Sequence, residues 1–231
     1  MIYGKYSEKR KGKAMMTMTA ECYQSLHPGR KMPYLQFLPA DYDPQKTYPL
    51  VIFLCGIGEC GTDLNLLTRH GFTRFAREGK EFPFILVAPQ EPAEHVWFAY
   101  IETLNDWLDN LTKTLPVDTD RIYLTGLSNG GIGTWLWATH NPEKFAALIP
   151  VCGEAIETFA FRLRDIPIWA FHGDADGAVF CDSSRRMVDR VNAFGGKAKL
   201  TVYEGVGHDS WEPAYREPEL IPWMLAQSRS E

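Results

Sequence analysis

Ser128 stands in Gly126-Leu127-Ser128-Asn129-Gly130, directly after the apolar run 121–125. This is a G-x-S-x-G pattern between an expected strand and an expected helix. The small flanking residues let the backbone turn sharply and leave the side-chain oxygen standing beyond the sheet. A serine hydroxyl is a poor nucleophile until a base takes its proton, and the base needs a carboxylate to hold its tautomer. Two later segments offer those groups: His172-Gly173-Asp174-Ala175-Asp176 after the run 168–171, and Gly205-Val206-Gly207-His208-Asp209-Ser210-Trp211 after the run 198–203. His208 reads as the base, because a glycine-rich turn after the last strand presents it. Asp176 reads as the orienting acid, with Asp174 and Glu154 as rivals. His172 abuts its strand and reads as structural, its ring hydrogen-bonded within the loop. His27, His70, His95 and His140 read as loop or helix-surface residues, and Asp209 as a cap for the helix that follows.

Acyl chemistry also needs two N–H groups aimed at the developing negative charge. One is expected from Asn129, the residue after the serine. The other is expected from Gly56-Ile57-Gly58-Glu59-Cys60-Gly61, with Ile57 preferred and Gly56 second. This loop lacks the lysine and hydroxyl of a phosphate-binding G-x-x-x-x-G-K-[ST], and G-x-G-x-x-G does not fit it, so nucleotide binding is not expected. Trp97, Phe98, Tyr100 and Trp211 are candidate pocket walls, with Trp211 and Trp97 the chosen substrate contacts. Trp135 and Trp137 read as core.

The elements that position these residues alternate. Apolar runs 50–55, 84–88, 122–125, 146–149 and 168–171 read as strands buried on both faces, flanked by strands at 32–38 and 198–203. Met15 to Ala20 alternates like a strand. Helical patterns fall at 64–78, 102–115, 132–139, 183–194 and 219–226. The clearest is the second, with Leu104, Trp107, Leu108 and Leu111 at i, i+3, i+4 and i+7. Asp182 reads as an N-cap, and Gly195-Gly196 as a helix stop. Strand–helix alternation predicts an α/β domain with a mostly parallel central sheet and helices on both faces. Ligands of such sheets bind beyond the carboxyl ends of the strands. There is no repeat and no linker, so residues 1–231 are expected to form a single domain.

Composition narrows the function classes. Of 231 residues, 45% are hydrophobic and 13% aromatic, enough for a sizeable core. The net charge of −5 argues against nucleic acid or an anionic membrane as partner. No apolar run approaches the length of a membrane span. Residues 1–13 carry Lys5, Lys9, Arg10, Lys11 and Lys13 and read as a solvated basic end. No signal peptide is visible, so a cytoplasmic location is expected. The five cysteines are scattered, without C-x-x-C spacing, and predict neither a disulfide framework nor a metal site. Cys55 and Cys152 read as buried small hydrophobes.

The chain resembles α/β-hydrolases of the dienelactone hydrolase, polyhydroxybutyrate depolymerase and bacterial feruloyl and acetyl-xylan esterase type. The resemblance rests on five ordered stretches: 38–44, 48–61, 125–131, 172–176 and 205–211. It implies an α/β-hydrolase fold, and in so short a chain no large lid domain is expected. It also implies serine esterase activity on a small-molecule ester without a cofactor, with Ser128, Asp176 and His208 as triad and Asn129 and Ile57 as oxyanion donors. Aromatic walls would suit an aryl or sugar-bearing ester. Where the family usually places a histidine before the oxyanion-loop glycine, this chain has Cys55, and Asn129 replaces the commoner methionine or glutamine. A serine peptidase of the same fold, or a catalytically silent binding protein, are the rival readings.

Overall fold

The computed structural model describes residues 5–6, 15–92 and 96–229. Among them, nine strands form one sheet in the order β1-β2-β3-β5-β4-β6-β7-β8-β9. β1 (Lys5–Tyr6), β2 (Thr17–Gln24) and β3 (Lys31–Leu38) pair antiparallel, as do β3 and β5 (Ile85–Pro89). The rest is parallel: β4 (Tyr48–Leu54) lies between β5 and β6 (Val117–Leu127), followed by β7 (Ala147–Val151), β8 (Ile168–Gly173) and β9 (Ala198–Tyr203). The rest of the basic end at 1–13, and His95, lie outside the described residues.

Every residue of β4, β5, β7 and β8 is buried. Successive side chains point to opposite faces, so burial of all of them means both faces are covered. Helices α1 (Gly71–Arg77), α2 (Ile101–Thr114), α3 (Asn129–His140), α4 (Cys181–Ala193), α5 (Trp211–Ala214) and α6 (Leu220–Leu225) supply that cover. The α2 stripe buries Leu104, Trp107, Leu108 and Leu111, as the spacing predicts. Each such side chain contributes roughly 1.5–3 kcal/mol by leaving water. Trp135 and Trp137 are core residues of α3, and Trp137 Nε1 donates to Asn105 Oδ1 of α2 at 2.8 Å.

Two local expectations change. The helix expected over 64–78 is broken into a 3₁₀ turn, Leu64–Thr68, and α1. Gly71 starts α1 at φ +59, and a Cβ there would lie 2.4 Å from the Phe53 ring. Tight tertiary packing therefore overrides the helical period. Phe180, not Asp182, is the N-cap of α4, and Asp182 sits in the first turn. The expected stop holds: Gly195 has φ +87, and Gly196 N donates to Val191 O at 3.1 Å, closing the helix end. Among the described residues, no domain is inserted over the carboxyl edge of the sheet, and no helix is long and apolar enough to cross a membrane.

Candidate active site

Ser128 sits between β6 and α3 at φ 53, ψ −119, a strained conformation for a residue with a Cβ. Its N–H donates to Val151 O at 3.0 Å, and its carbonyl accepts from Ile132 N at 2.9 Å. The turn closes only because its neighbours are glycines. A Cβ on Gly126 would lie 2.3 Å from Gly130 O, and one on Gly130 would lie 2.0 Å from Leu54 O. Both obstacles are backbone, so neither moves without disturbing the first turn of α3 or the end of β4. Gly130→Ala is expected to destabilise the protein by about 1–3 kcal/mol, read as a lower urea midpoint. An unchanged midpoint would contradict this close approach.

The structure brings three distant segments together at the serine. His208 Nε2 lies 2.8 Å from Ser128 Oγ, and His208 Nδ1 lies 2.7 Å from Asp176 Oδ2. Asp176 Oδ1 accepts from the amides of Ala178 and Val179, each at 2.9 Å. Burial pushes the Asp176 carboxyl up, but the His208 hydrogen bond and the two loop amides together outweigh it. The group is held below the usual carboxylate range, ionised beside the imidazole. The Asp176 side chain is fully buried, whereas His208 is 28% exposed and open to a substrate.

The rivals for the acid are elsewhere. Asp174 is exposed and accepts from Gly205 N at 2.7 Å, bracing the His208 turn, and Glu154 is exposed. His172 is fully buried, with Nδ1 2.8 Å from Ser184 Oγ and Nε2 2.9 Å from Val179 O. Its Nε2 also lies 3.2 Å from Asp176 Oδ2, a contact the sequence did not suggest. Burial holds the His172 imidazole below its ordinary value and so favours the neutral ring. An Nε2–H tautomer then serves both Val179 and Asp176. Asp209 is not a side-chain cap: Ser210 is the N-cap of α5, and Asp209 contributes only its carbonyl, accepting from Glu212 N at 2.9 Å.

The two expected oxyanion amides stand at element starts. Asn129 is the first residue of α3, and Ile57 opens the 3₁₀ turn Ile57–Glu59, so neither N–H has a partner within its own helix. Gly56, the second choice, is already used: its N–H donates to Glu59 Oε2 at 3.0 Å. The loop is held from below. Gln90 Nε2 donates to Glu59 O and Asp63 O, and Gly61 N donates to Glu91 O. Cys55 is buried as expected, and the Cys60 hydrogen bond together with burial pushes its thiol well above its ordinary value.

Trp97 is a correction. It is 1% exposed, its Nε1 donates to Cys55 O at 3.1 Å, and its ring fills the space where Gly133 has no Cβ. It buttresses the end of β4 and presents no surface to a substrate. Trp211 lies at the site, its ring centroid 5.4 Å from that of His208 in an edge arrangement and 5.3 Å from that of His70. Phe98 is 59% exposed and faces His140 rather than the serine.

Cys152, Asp176 and His208 place one potential ligand atom each within 4.8 Å of one another. Burial pushes the Cys152 thiol up to about 12, so with no cation beside it the group stays protonated at neutral pH. Both ring nitrogens of His208 are also already engaged.

Glu91 is the residue that sequence reasoning missed. It follows β5, one of the strand ends where chemistry was to be sought, and that position was the available signal. It is fully buried; its Oε2 accepts from Asn129 Nδ2 at 2.7 Å, while Oε1 has no partner. Burial raises its carboxyl to about 7, against the lowering effect of Asn129 and Cys60. The folded protein therefore keeps a proton that the unfolded chain releases. This contribution to stability is complete below the ordinary carboxylate range and is lost as pH rises through about 7. Glu91→Gln should flatten the fall in Tm between about pH 5 and about pH 8. An equally steep fall in the variant would contradict this.

Strand order, the strained serine turn and the serine–imidazole–carboxylate chain together define an α/β-hydrolase fold. The profile of the Esterase family, described as "Putative esterase", matches residues 25–230. The chain belongs to this family. A thermostable esterase of known structure is 35% identical with a TM-score of 0.82, over 92% of this chain and 63% of that one. A feruloyl esterase module from Clostridium thermocellum, complexed with sinapinate, has a TM-score of 0.73 at 14% identity over 98% of this chain and 97% of that one. That similarity is one of fold. A Salmonella typhimurium protein described as "Putative carboxymethylenebutenolidase" is 30% identical over 112 residues, 43% of this chain and 42% of that protein. The matched stretches span under half the length of such curated relatives.

Proposed function

We propose that this protein hydrolyses carboxylic esters through an acyl-enzyme. The observation that carries the reading is the continuous hydrogen-bonded chain from Ser128 Oγ through His208 to Asp176. In this reading His208 Nε2 takes the Ser128 proton as Oγ attacks the ester carbonyl. The amides of Asn129 and Ile57 bind the resulting oxyanion, and Asp176 stabilises the imidazolium. The carbonyl re-forms, the C–O bond to the alcohol breaks, and His208 returns the proton to the leaving oxygen. Water then enters, gives a proton to His208 and releases the acid, and Ser128 regains its proton.

Family membership and the geometry both support this chemistry. The substrate we propose is a small, aryl or sugar-linked ester. The exposed apolar side chains Ile57, Ile156 and Phe180 rise from loops after β4, β7 and β8, at the same sheet edge as Ser128. Trp211 beside His208 is the proposed contact for the leaving group. The carboxymethylenebutenolidase likeness is consistent with a small ester or lactone. Turnover of p-nitrophenyl acetate, butyrate, octanoate and ferulate tests the reading. Hydrolysis that prefers short or aryl acyl groups is expected. A folded protein without turnover on any of them would count against it.

A further inference from the structure

The two halves of the oxyanion hole come from different elements, Asn129 on α3 and Ile57 on the loop after β4. Their spacing must be fixed to a fraction of an ångström, since donors act only when aimed at the developing charge. Glu91 lies between the two. Its Oε2 accepts from Asn129 Nδ2 at 2.7 Å, and the Cys60 thiol lies 3.5 Å from the same oxygen and 3.4 Å from Gly56 O. Its backbone carbonyl accepts from Gly61 N at 2.8 Å. The neighbouring Gln90 ties Glu59 and Asp63 of the same loop. One fully buried residue therefore bonds to the side chain of one donor residue and to both the thiol and the backbone of the arm that follows the other.

We propose that Glu91 is a positioning residue for the oxyanion hole: its buried carboxyl tethers Asn129 to the Cys60–Gly61 arm and so sets the separation of the Asn129 and Ile57 amides. It touches neither the substrate nor the triad. A buried acid is expensive to keep, and hydrophobic packing would stabilise the site at lower cost. The tether gives its presence there a reason. The proposal rests on the esterase reading, and it makes Asn129 contribute twice: its amide to the oxyanion and its side chain to the tether.

The test compares Glu91→Ala, Glu91→Gln, Asn129→Ala and the double alanine variant of the full chain on p-nitrophenyl acetate. Glu91→Ala should lower kcat by about 10- to 100-fold while KM moves by less than about two-fold. Affinity for a trifluoromethyl ketone, which forms an oxyanion on a serine, should weaken in parallel. Glu91→Gln keeps an oxygen acceptor for Asn129 and should stay within about three-fold of wild type. Asn129→Ala retains its amide but loses the tether. It should match Glu91→Ala, and the double variant should be no worse than either single one.

If Glu91→Ala does not fold, Asn129→Ala and Glu91→Gln decide the matter. Wild-type kcat in Asn129→Ala, effects that multiply in the double variant, or a loss in Glu91→Gln as large as in Glu91→Ala would overturn the proposal. The two readings fail differently. Absence of Ser128-dependent turnover in the wild-type chain removes the esterase reading and the tether together. Wild-type turnover with insensitive variants removes the tether alone.

Discussion

Ser128→Ala should lower kcat for ester hydrolysis by roughly 10⁴–10⁶-fold and leave the fold intact. The size follows from what the side chain does. In the proposed mechanism Ser128 Oγ forms the acyl bond, and it is the hydroxyl to which His208 Nε2 is hydrogen-bonded, at 2.8 Å. Alanine fits the turn as serine does, because the strain at φ 53 belongs to the backbone and the Ser128 backbone bonds to Val151 and Ile132 do not involve the hydroxyl. Turnover should therefore vanish without a matching change in Tm. Residual activity would come from the oxyanion amides acting on water alone. A variant that kept a tenth of wild-type kcat would exclude Ser128 as nucleophile.

Asp176→Asn should cost roughly 10³–10⁴-fold in kcat, although it changes the side chain by a single group. The surroundings dictate which way the new amide faces. Oδ1 of Asp176 accepts from the amides of Ala178 and Val179, so the asparagine carbonyl must stay on that side. Its NH₂ is then turned toward His208 Nδ1 and His172 Nε2, which lie 2.7 and 3.2 Å from Oδ2. His208 Nδ1 must become an acceptor, which moves the ring proton to Nε2, facing Ser128. An imidazole that already carries a proton at Nε2 cannot take one from the serine. The His172 ring meets the same NH₂ and keeps only Val179 O as acceptor for its Nε2–H. Kinetics of the variant on p-nitrophenyl acetate check this, and a kcat within about ten-fold of wild type would contradict the tautomer argument.

Much of this arrangement could be read from the chain because Ser128, Asp176 and His208 each carry a local signature. Ser128 lies between two glycines that the backbone contacts demand, and Asp176 and His208 each follow an apolar strand within a glycine-containing turn. Strands buried on both faces show as unbroken apolar runs, so β4, β5, β7 and β8 were legible with shifts of a residue or two at their ends. What the chain could not disclose depends on distant packing. The role of Trp97 turns on whether it faces a pocket or fills the gap over Gly133, and no local pattern separates the two. The break before α1 comes from Gly71 meeting the Phe53 ring. Glu91 has no periodic signature because a buried acid is defined by its partners, Asn129 and Cys60, which lie on other elements. Asp209 stood beside a helix start, yet the chain places Ser210 at the cap.

The proposed mechanism stands on His208 activating Ser128 Oγ as a nucleophile. Intact-protein mass spectrometry of the full chain after brief exposure to a fluorophosphonate, followed by peptide mapping, measures this directly. A single adduct is expected on Ser128, formed rapidly in the wild type, slowed strongly by Asp176→Asn and absent in Ser128→Ala. A folded wild-type chain that takes up no adduct, or one that carries it on another residue, would exclude Ser128 as the nucleophile.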